Sequence, residues 1–249
     1  MKMKSVVITG GNKGIGLDIT KCFLKNDYTV IIGAREKTET LSTLGPNMYF
    51  LSLDATEEES HIKLAHKAIE LTGSLDVYVN NVGISEWMPI EKIDEYFIDK
   101  LINTNLKSAF WGCKAAISNM KSGSSIINVS SIAGKRGSAN NSVYSSTKFA
   151  MNGLTQSLAK EVGHRGIRVN AVCPVLVSTE GLLTALNSEY SPAKGNSEIF
   201  LEDFKKSNSA LNRLPKGDEV GNMCVFLGSK KSSAITGQCI NIDCGVLPQ

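Results

Sequence analysis

Three places in the chain set a phenol and an ammonium one helical turn apart, as Tyr-x-x-x-Lys: Tyr96/Lys100, Tyr144/Lys148 and Tyr190/Lys194. On a helix that spacing brings both side chains to one face. A tyrosine hydroxyl is a weak acid, with a reference pKa of about 10. To exchange a proton with a substrate oxygen near neutrality it needs a shift of about 3 units, or about 4 kcal/mol. A lysine ammonium beside it supplies part of that. The motif is short enough to arise by chance, so its company decides. The third pair spans Pro192, which argues against a helix interior. The first lies early in a long helical stretch, far upstream of any strand end that could supply a partner. Tyr144/Lys148 has partners. Ser131 stands thirteen residues before Tyr144, at the carboxyl end of the strand Ile126-Ile127-Asn128-Val129-Ser130-Ser131, and Asn105 lies in the preceding helix. Ligands of open α/β sheets bind outside such strand ends.

A second feature lies near the amino end. An apolar strand runs into Thr9-Gly10-Gly11-Asn12-Lys13-Gly14-Ile15-Gly16, and a helical pattern follows. Glycines allow a tight turn and let backbone approach a pyrophosphate. The helix start then offers free N–H groups and a partial positive charge. The segment therefore reads as a dinucleotide loop, against the plainer reading of a glycine-rich turn. The second strand ends Gly33-Ala34-Arg35, with no carboxylate placed to accept ribose hydroxyls. Arg35 offers a planar donor fork suited to a 2′-phosphate, and Lys13 adds a second positive charge. This pattern predicts a preference for NADP(H), with NAD(H) possible. The alternative is that both cations are ordinary solvated surface groups.

The elements that must position these groups are visible as an alternation. Short, mostly continuous apolar runs cover Ser5–Thr9, Thr29–Gly33, Met48–Leu53, Leu75–Asn80, Ser125–Ser130, Arg168–Cys173 and Gln238–Asp243. Such runs mark strands buried on both faces. Helical periods fill Gly14–Lys25, Glu57–Leu71, Asp94–Met120, Ser142–Val162 and Asp218–Leu227. Thr56, with Glu59 three residues on, suggests a capping box for the second of these. The alternation predicts an α/β fold, a doubly wound parallel sheet of about seven strands with helices on both faces. One stretch is out of rhythm: 179–213 is polar, with a weak helical pattern at Glu198–Lys206. It reads as a lid or binding segment, or else as a tolerated surface insertion.

Composition agrees with a globular chain. Of 249 residues 42% are hydrophobic and 20% charged, and the formal charge is +3. That balance is too mild to argue for nucleic acid or an anionic membrane surface as partner. The six cysteines, Cys22, Cys113, Cys173, Cys224, Cys239 and Cys244, form no CxxC pair and have no histidine at zinc-ligand spacing, so no metal site is expected. They read as reduced structural thiols. Met1 to Lys4 lead directly into the first strand, with no apolar leader or membrane-length run, which predicts a cytoplasmic protein.

The glycine spacing resembles the TGxxxGxG loop of the short-chain dehydrogenase/reductase family. The order Asn105, Ser131, Tyr144, Lys148 resembles that family's catalytic tetrad, and the spacing favours Ser131 over Ser130 as its serine. The resemblance covers nearly the whole chain. It implies one Rossmann-type catalytic domain over 1–249, with 179–213 as the substrate loop. Cofactor contacts are implied for Gly10, Asn12, Lys13, Gly14, Ile15 and Gly16, and for Arg35 after the second strand. Asp54, with Ala55, matches the family aspartate that meets the adenine amino group. Asn80-Asn81-Val82-Gly83 resembles an Asn-Asn-Ala-Gly segment, implicating Asn81 and Gly83. Pro174, Val177 and Thr179 fall in a stretch that resembles the nicotinamide grip. Tyr144 and Lys148 count among the cofactor contacts as well, with Lys148 on the nicotinamide ribose and Asn105 anchoring a relay water.

Val82, Val175 and Cys244 replace the usual Ala, Gly and Gly. The last strand implies a homodimer or homotetramer. The activity implied is hydride exchange with a carbonyl or secondary alcohol of a small molecule. A 3-oxoacyl thioester on acyl carrier protein, which would want a basic patch such as Lys121, Arg165 and Lys205-Lys206, stands beside a sugar, polyol or ring alcohol. Leu182, Leu183, Leu186, Phe200 and Phe204 would form either an apolar substrate wall or the inner face of a lid. A nucleotide-binding sensor or scaffold without turnover is the reading from another class, and a sugar epimerase or dehydratase is disfavoured by the glycine spacing.

Overall fold

A computed structural model describes residues 3–248; Met1 and Lys2, part of the leader reading, and Gln249 lie outside the described residues. Seven strands form one parallel sheet in the order β3-β2-β1-β4-β5-β6-β7. They are β1 (Lys4–Thr9), β2 (Tyr28–Ala34), β3 (Met48–Ser52), β4 (Val77–Asn80), β5 (Ser125–Val129), β6 (Arg168–Pro174) and β7 (Cys239–Ile242). Every residue of β2 and β5 is buried, as the unbroken apolar runs require of strands covered on both sides. β4 starts later than expected. Asp76 just before it bonds both neighbouring strands, its carbonyl accepting the Ser125 N–H and its carboxylate the Ser5 N–H, each at 2.9 Å.

The helices are α1 (Gly14–Lys25), α2 (Glu58–Thr72), α3 (Glu95–Leu101), α4 (Ser108–Asn119), α5 (Ser142–Val162), α6 (Glu180–Leu186), α7 (Ser197–Asn208) and α8 (Gly217–Gly228). Ile19 and Phe23 of α1 and Val220, Cys224 and Leu227 of α8 pack against one face of the sheet. α2, α4 and α5 cover the other with Leu64, Ala68, Cys113, Ala116, Met151 and Leu154. Burying a side chain the size of Phe23 or Leu64 contributes about 1.5–3 kcal/mol. The strand order reverses between β1 and β4, so a crevice opens at the carboxyl ends of these strands.

Two local expectations fail for identifiable reasons. The capping box at Thr56 and Glu59 does not form. Asp54 Oδ1 takes both the Thr56 N–H (2.8 Å) and the Thr56 hydroxyl (2.9 Å), and α2 starts after an extended Glu57 without a side-chain cap. The single helix expected over Asp94–Met120 is interrupted by a π-helical segment, Ile102–Lys107. The apolar period runs through it unbroken, but Asn105 at its centre is fully buried and bonded to another segment.

Candidate active site

β1 ends in the glycine loop. Gly10 N–H donates to Gly33 C=O at 2.7 Å, tying the loop to the tip of β2. Gly10 and Gly14 have φ of +65° and +53°, a region L side chains rarely adopt. A Cβ on Gly16 would stand 2.1 Å from the Gly10 carbonyl oxygen, so the loop closes on α1 only with glycine there. No side chain caps the first turn of α1, and Lys13 before it is exposed. This bare backbone at a helix start fits a pyrophosphate. Ile15, half-buried, packs the turn against the core.

Asn12 is buried and donates to Glu36 C=O at 2.9 Å, while Thr38 donates its hydroxyl to Asn12 C=O at 2.9 Å. These bonds fasten the segment carrying Arg35 to the glycine loop and leave the guanidinium side chain exposed. Asp54 is exposed beyond β3 and Ala55 behind it is buried. Asn81 donates to Thr9 C=O (2.9 Å) and Gly10 C=O (3.2 Å), and the Thr9 hydroxyl accepts the N–H groups of Asn81 and Val82. Thr9, which sequence reasoning passed over, therefore couples the two loops. Val82 packs its methyl against Gly10.

At the end of β6, Pro174 and Val177 are buried. Thr179 accepts the Leu182 N–H at 3.2 Å and caps α6; its methyl lies 3.7 Å from where a Gly14 Cβ would be.

The Asn105, Ser131, Tyr144 and Lys148 side chains belong to one neighbourhood. The Ser131 side chain lies close enough to the Tyr144 hydroxyl to lower its pKa. Ser131 donates toward Pro174 C=O (3.4 Å) and accepts the Ala133 N–H (3.1 Å). Ser130 turns away and donates to the Lys148 backbone carbonyl at 3.3 Å. Lys148 is 4% exposed, and its ammonium donates to Val129 C=O at 2.9 Å, 5.6 Å from the Tyr144 ring centroid. A Cβ on Gly83 would stand 3.4 Å from both that Nζ and Asn105 Oδ1, so Gly83 keeps the floor between them open. Asn105 accepts the Ile84 N–H (2.8 Å) and donates to Ile84 C=O (2.9 Å) and Thr147 Oγ1 (3.3 Å). Thr147 in turn donates to Tyr144 C=O at 2.7 Å. The π-helical turn, Ile84 and the first turn of α5 are thus one hydrogen-bonded unit, and Thr147 is a member the sequence did not single out.

Burial raises the Tyr144 pKa above that of a free phenol, and the neighbouring Ser131 side chain works against it. Burial also brings Lys148 down to about 8. Two groups buried together each favour their neutral form.

The other two Tyr/Lys pairs make no such unit. Tyr96 is exposed and Lys100 pairs with Glu86 at 2.5 Å. Tyr190 follows α6 in a turn, where its hydroxyl accepts from Lys92 at 2.6 Å.

The stretch 179–213 holds α6, which the sequence did not suggest, and α7. Leu182, Leu186, Tyr190 and Phe200 pack on Trp87. Phe204 joins Ile132, Val175, Leu176, Leu214 and Val246. Val175, where the resemblance has Gly, therefore fills an apolar cluster next to Ser131. Cys244 keeps a φ of +55°, which explains why Gly is usual there. The proposed basic patch does not assemble. Lys121 and Arg165 lie just before β5 and β6, at the opposite ends of the strands from Ser131, and Lys205 and Lys206 pair with Glu202. Among the described residues no group of three His, Cys, Asp or Glu could hold a metal ion, and no helix is long and apolar enough to cross a membrane.

The chain is similar to L-2,3-butanediol dehydrogenase of Corynebacterium glutamicum, at 32% identity over 98% of each chain. It is 33% identical to 3-oxoacyl-[acyl-carrier-protein] reductase FabG of Chlamydia pneumoniae, covering 98% of this chain and 96% of that one. The solved structure of ElxO with NADP bound superposes with a TM-score of 0.88 at 34% identity, over all of both chains. A family model described as short chain dehydrogenase matches residues 4–190, and on these grounds the chain belongs to the short-chain dehydrogenase/reductase family of oxidoreductases, which act on alcohol and carbonyl groups.

Proposed function

We propose that the chain is an NADP(H)-preferring oxidoreductase that exchanges hydride with a ketone or secondary alcohol bearing uncharged, largely apolar substituents. One observation carries the reading: the Ser131–Tyr144 hydroxyl pair beside buried Lys148, at the strand ends where the glycine loop opens. When bound, the nicotinamide supplies or takes up the hydride. The proton is the business of the chain. Ser131 holds the substrate oxygen, and Tyr144 gives it a proton during reduction and takes one during oxidation. Lys148, with a pKa of about 8, is mostly charged at neutral pH. One of its three donors is held by Val129, which leaves two for ribose hydroxyls. Asn105 and Thr147 fix the turn that presents Tyr144. The resemblance adds a relay water to Asn105's role.

The substrate class follows from the walls. Ile132, next in sequence to Ser131, packs with Val175 in one apolar cluster, and Trp87 packs with Leu182, Leu186 and Phe200 in a second. Both clusters draw on the segment 179–213, which on this reading would cover the substrate. The scattered cations remove the argument for carrier-protein docking, so a small neutral ketone is favoured over a carrier-bound thioester. The test is oxidation of NADPH with neutral, carboxylated and polyhydroxylated ketones; turnover confined to the charged or hydroxylated set would sink the apolar reading. A sensor without turnover has no use for a buried lysine that burial disfavours, and fails if any ketone is reduced.

Arg35 should carry the nucleotide choice. A charge-assisted bond to a 2′-phosphate gives about tenfold or more in affinity. In Arg35→Ala the ratio of kcat/KM for NADPH over NADH is expected to fall by about that factor. An unchanged ratio, or equal use of both by the native chain, overturns the preference. For assembly, Tyr96, Phe110 and Phe149 of α3, α4 and α5 are exposed, at 74%, 48% and 48%. We place a second copy of the chain on this face. Phe110→Glu with Phe149→Glu should halve the mass seen by light scattering, and an unaltered mass excludes this face.

A further inference from the structure

One polar pair sits in the apolar layer between α2 and the sheet. His61 is 1% exposed and Tyr78 is fully buried. His61 Nδ1 lies 2.8 Å from the Tyr78 hydroxyl, and Nε2 lies 2.8 Å from the Ala55 carbonyl oxygen. The two rings are 6.2 Å apart and inclined by 29°. A carbonyl can only accept, so Nε2 carries the proton. A neutral ring then offers the Nδ1 lone pair to the Tyr78 O–H, and both ring nitrogens are satisfied. Burial pushes the His61 pKa down and keeps the ring in this neutral form. Protonation would set an Nδ1–H against the Tyr78 hydroxyl and leave that hydroxyl's own proton in an apolar layer. Packing alone does not call for such a pair, because apolar side chains of similar volume would fill the space with no polar group to desolvate.

What the pair grips is the turn after β3. Leu53 N–H donates to Ala34 C=O at 3.0 Å, next to Arg35. Asp54 Oδ1 binds Thr56 twice. The third fastening is the Ala55 carbonyl, held by His61 of α2, whose ring is held by Tyr78 of β4. Tyr78 stands in the ladder opposite Val7 and Ile126, in the middle of the sheet. The turn bearing Asp54 is therefore referenced to the rigid centre of the fold and not only to its edge.

We propose that His61 is a positioning residue for the adenine end of the nucleotide site, acting through the Ala55 carbonyl without touching the ligand. This rests on the nucleotide reading of Asp54 and Arg35 given above. Calorimetric titration with NADPH, and with adenosine 2′,5′-bisphosphate, which carries only the adenine end, tests it in the native chain and in His61→Leu, His61→Gln and Tyr78→Phe. Melting temperature and steady-state kinetics accompany each titration. In His61→Leu both ligands should bind about tenfold more weakly. The cofactor KM should rise by the same factor while kcat at saturating cofactor stays within about twofold. His61→Gln, whose amide can donate to Ala55 and accept from Tyr78, should recover most of the loss. Unaltered affinities in a folded His61→Leu protein, whatever its melting temperature, make the pair purely structural and overturn the proposal. Should His61→Leu fail to fold, Tyr78→Phe frees the ring and should weaken both ligands about threefold; no weakening there overturns it equally. Native protein that binds neither ligand overturns the nucleotide reading itself, and this proposal falls with it.

Discussion

Tyr144→Phe is expected to lose about 10³-fold in turnover of a ketone with NADPH while binding the cofactor as the native chain does. The substitution removes one oxygen and little volume. Ser131 keeps its bonds to Pro174 and Ala133, and Lys148 keeps Val129, so the surroundings stand without it. On the proposed mechanism, what disappears is the acid that meets the developing alkoxide. Because burial raises the Tyr144 pKa, the phenol holds its proton at neutral pH. That suits a proton donor in the direction of reduction. Single-turnover measurements separate the outcomes. An unchanged rate of nicotinamide oxidation in the variant would mean another group gives the proton, and a parallel loss of NADPH affinity would mean the phenyl ring had moved.

Lys148→Met should be nearly inactive and yet more stable than the native chain when no nucleotide is bound. The Lys148 pKa falls from 10.5 to about 8 on folding. A depression of that size corresponds to about 3 kcal/mol of destabilisation at neutral pH. Methionine fills the same channel without the charge. Losing the donor to Val129 C=O takes back about 1 kcal/mol, which leaves a net gain of about 1–2 kcal/mol. The pH dependence has a definite sign. Between the folded value of about 8 and the unfolded value of 10.5 the folded chain binds fewer protons than the unfolded one. This group's contribution to stability therefore rises as pH climbs through that window, and is lost as pH falls back through it. Urea unfolding at neutral pH and above about pH 9 measures it. A Met variant less stable than the native chain, or one with the same alkaline slope, would show that the lysine is not the strained member.

The repeating part of the fold was legible because it depends on local pattern. α1 and α5 occupy the spans that their periodicity indicates, and each strand lies within a residue or two of its apolar run. The glycine loop was legible because backbone conformation, as at Gly10 and Gly14, restricts residue type so sharply. What escaped was decided by partners distant in sequence. Nothing in the apolar period of 94–120 announces the π-helical turn, since its cause is Asn105 reaching Ile84. The Thr56 cap was lost to a competing carboxylate two residues away. α6 is seven residues long, too short for a period to declare itself, although Thr179 is the residue type that starts such a helix. His61 and Tyr78 look from their sequence like an exposed helix position and an ordinary strand aromatic. Only the fold brings them together.

The stretch holding α6 and α7 packs on the rest of the molecule through two oily seams, one around Trp87 and one around Ile132 and Val175. Neither seam shares a hydrogen bond with Lys148 or Asn105. If the proposed function holds, descendants of such a chain could redraw the seams, and with them the shape of the molecule admitted, without disturbing the bonds that hold Lys148 and Asn105. One ancestral scaffold can in this way give rise to many diets.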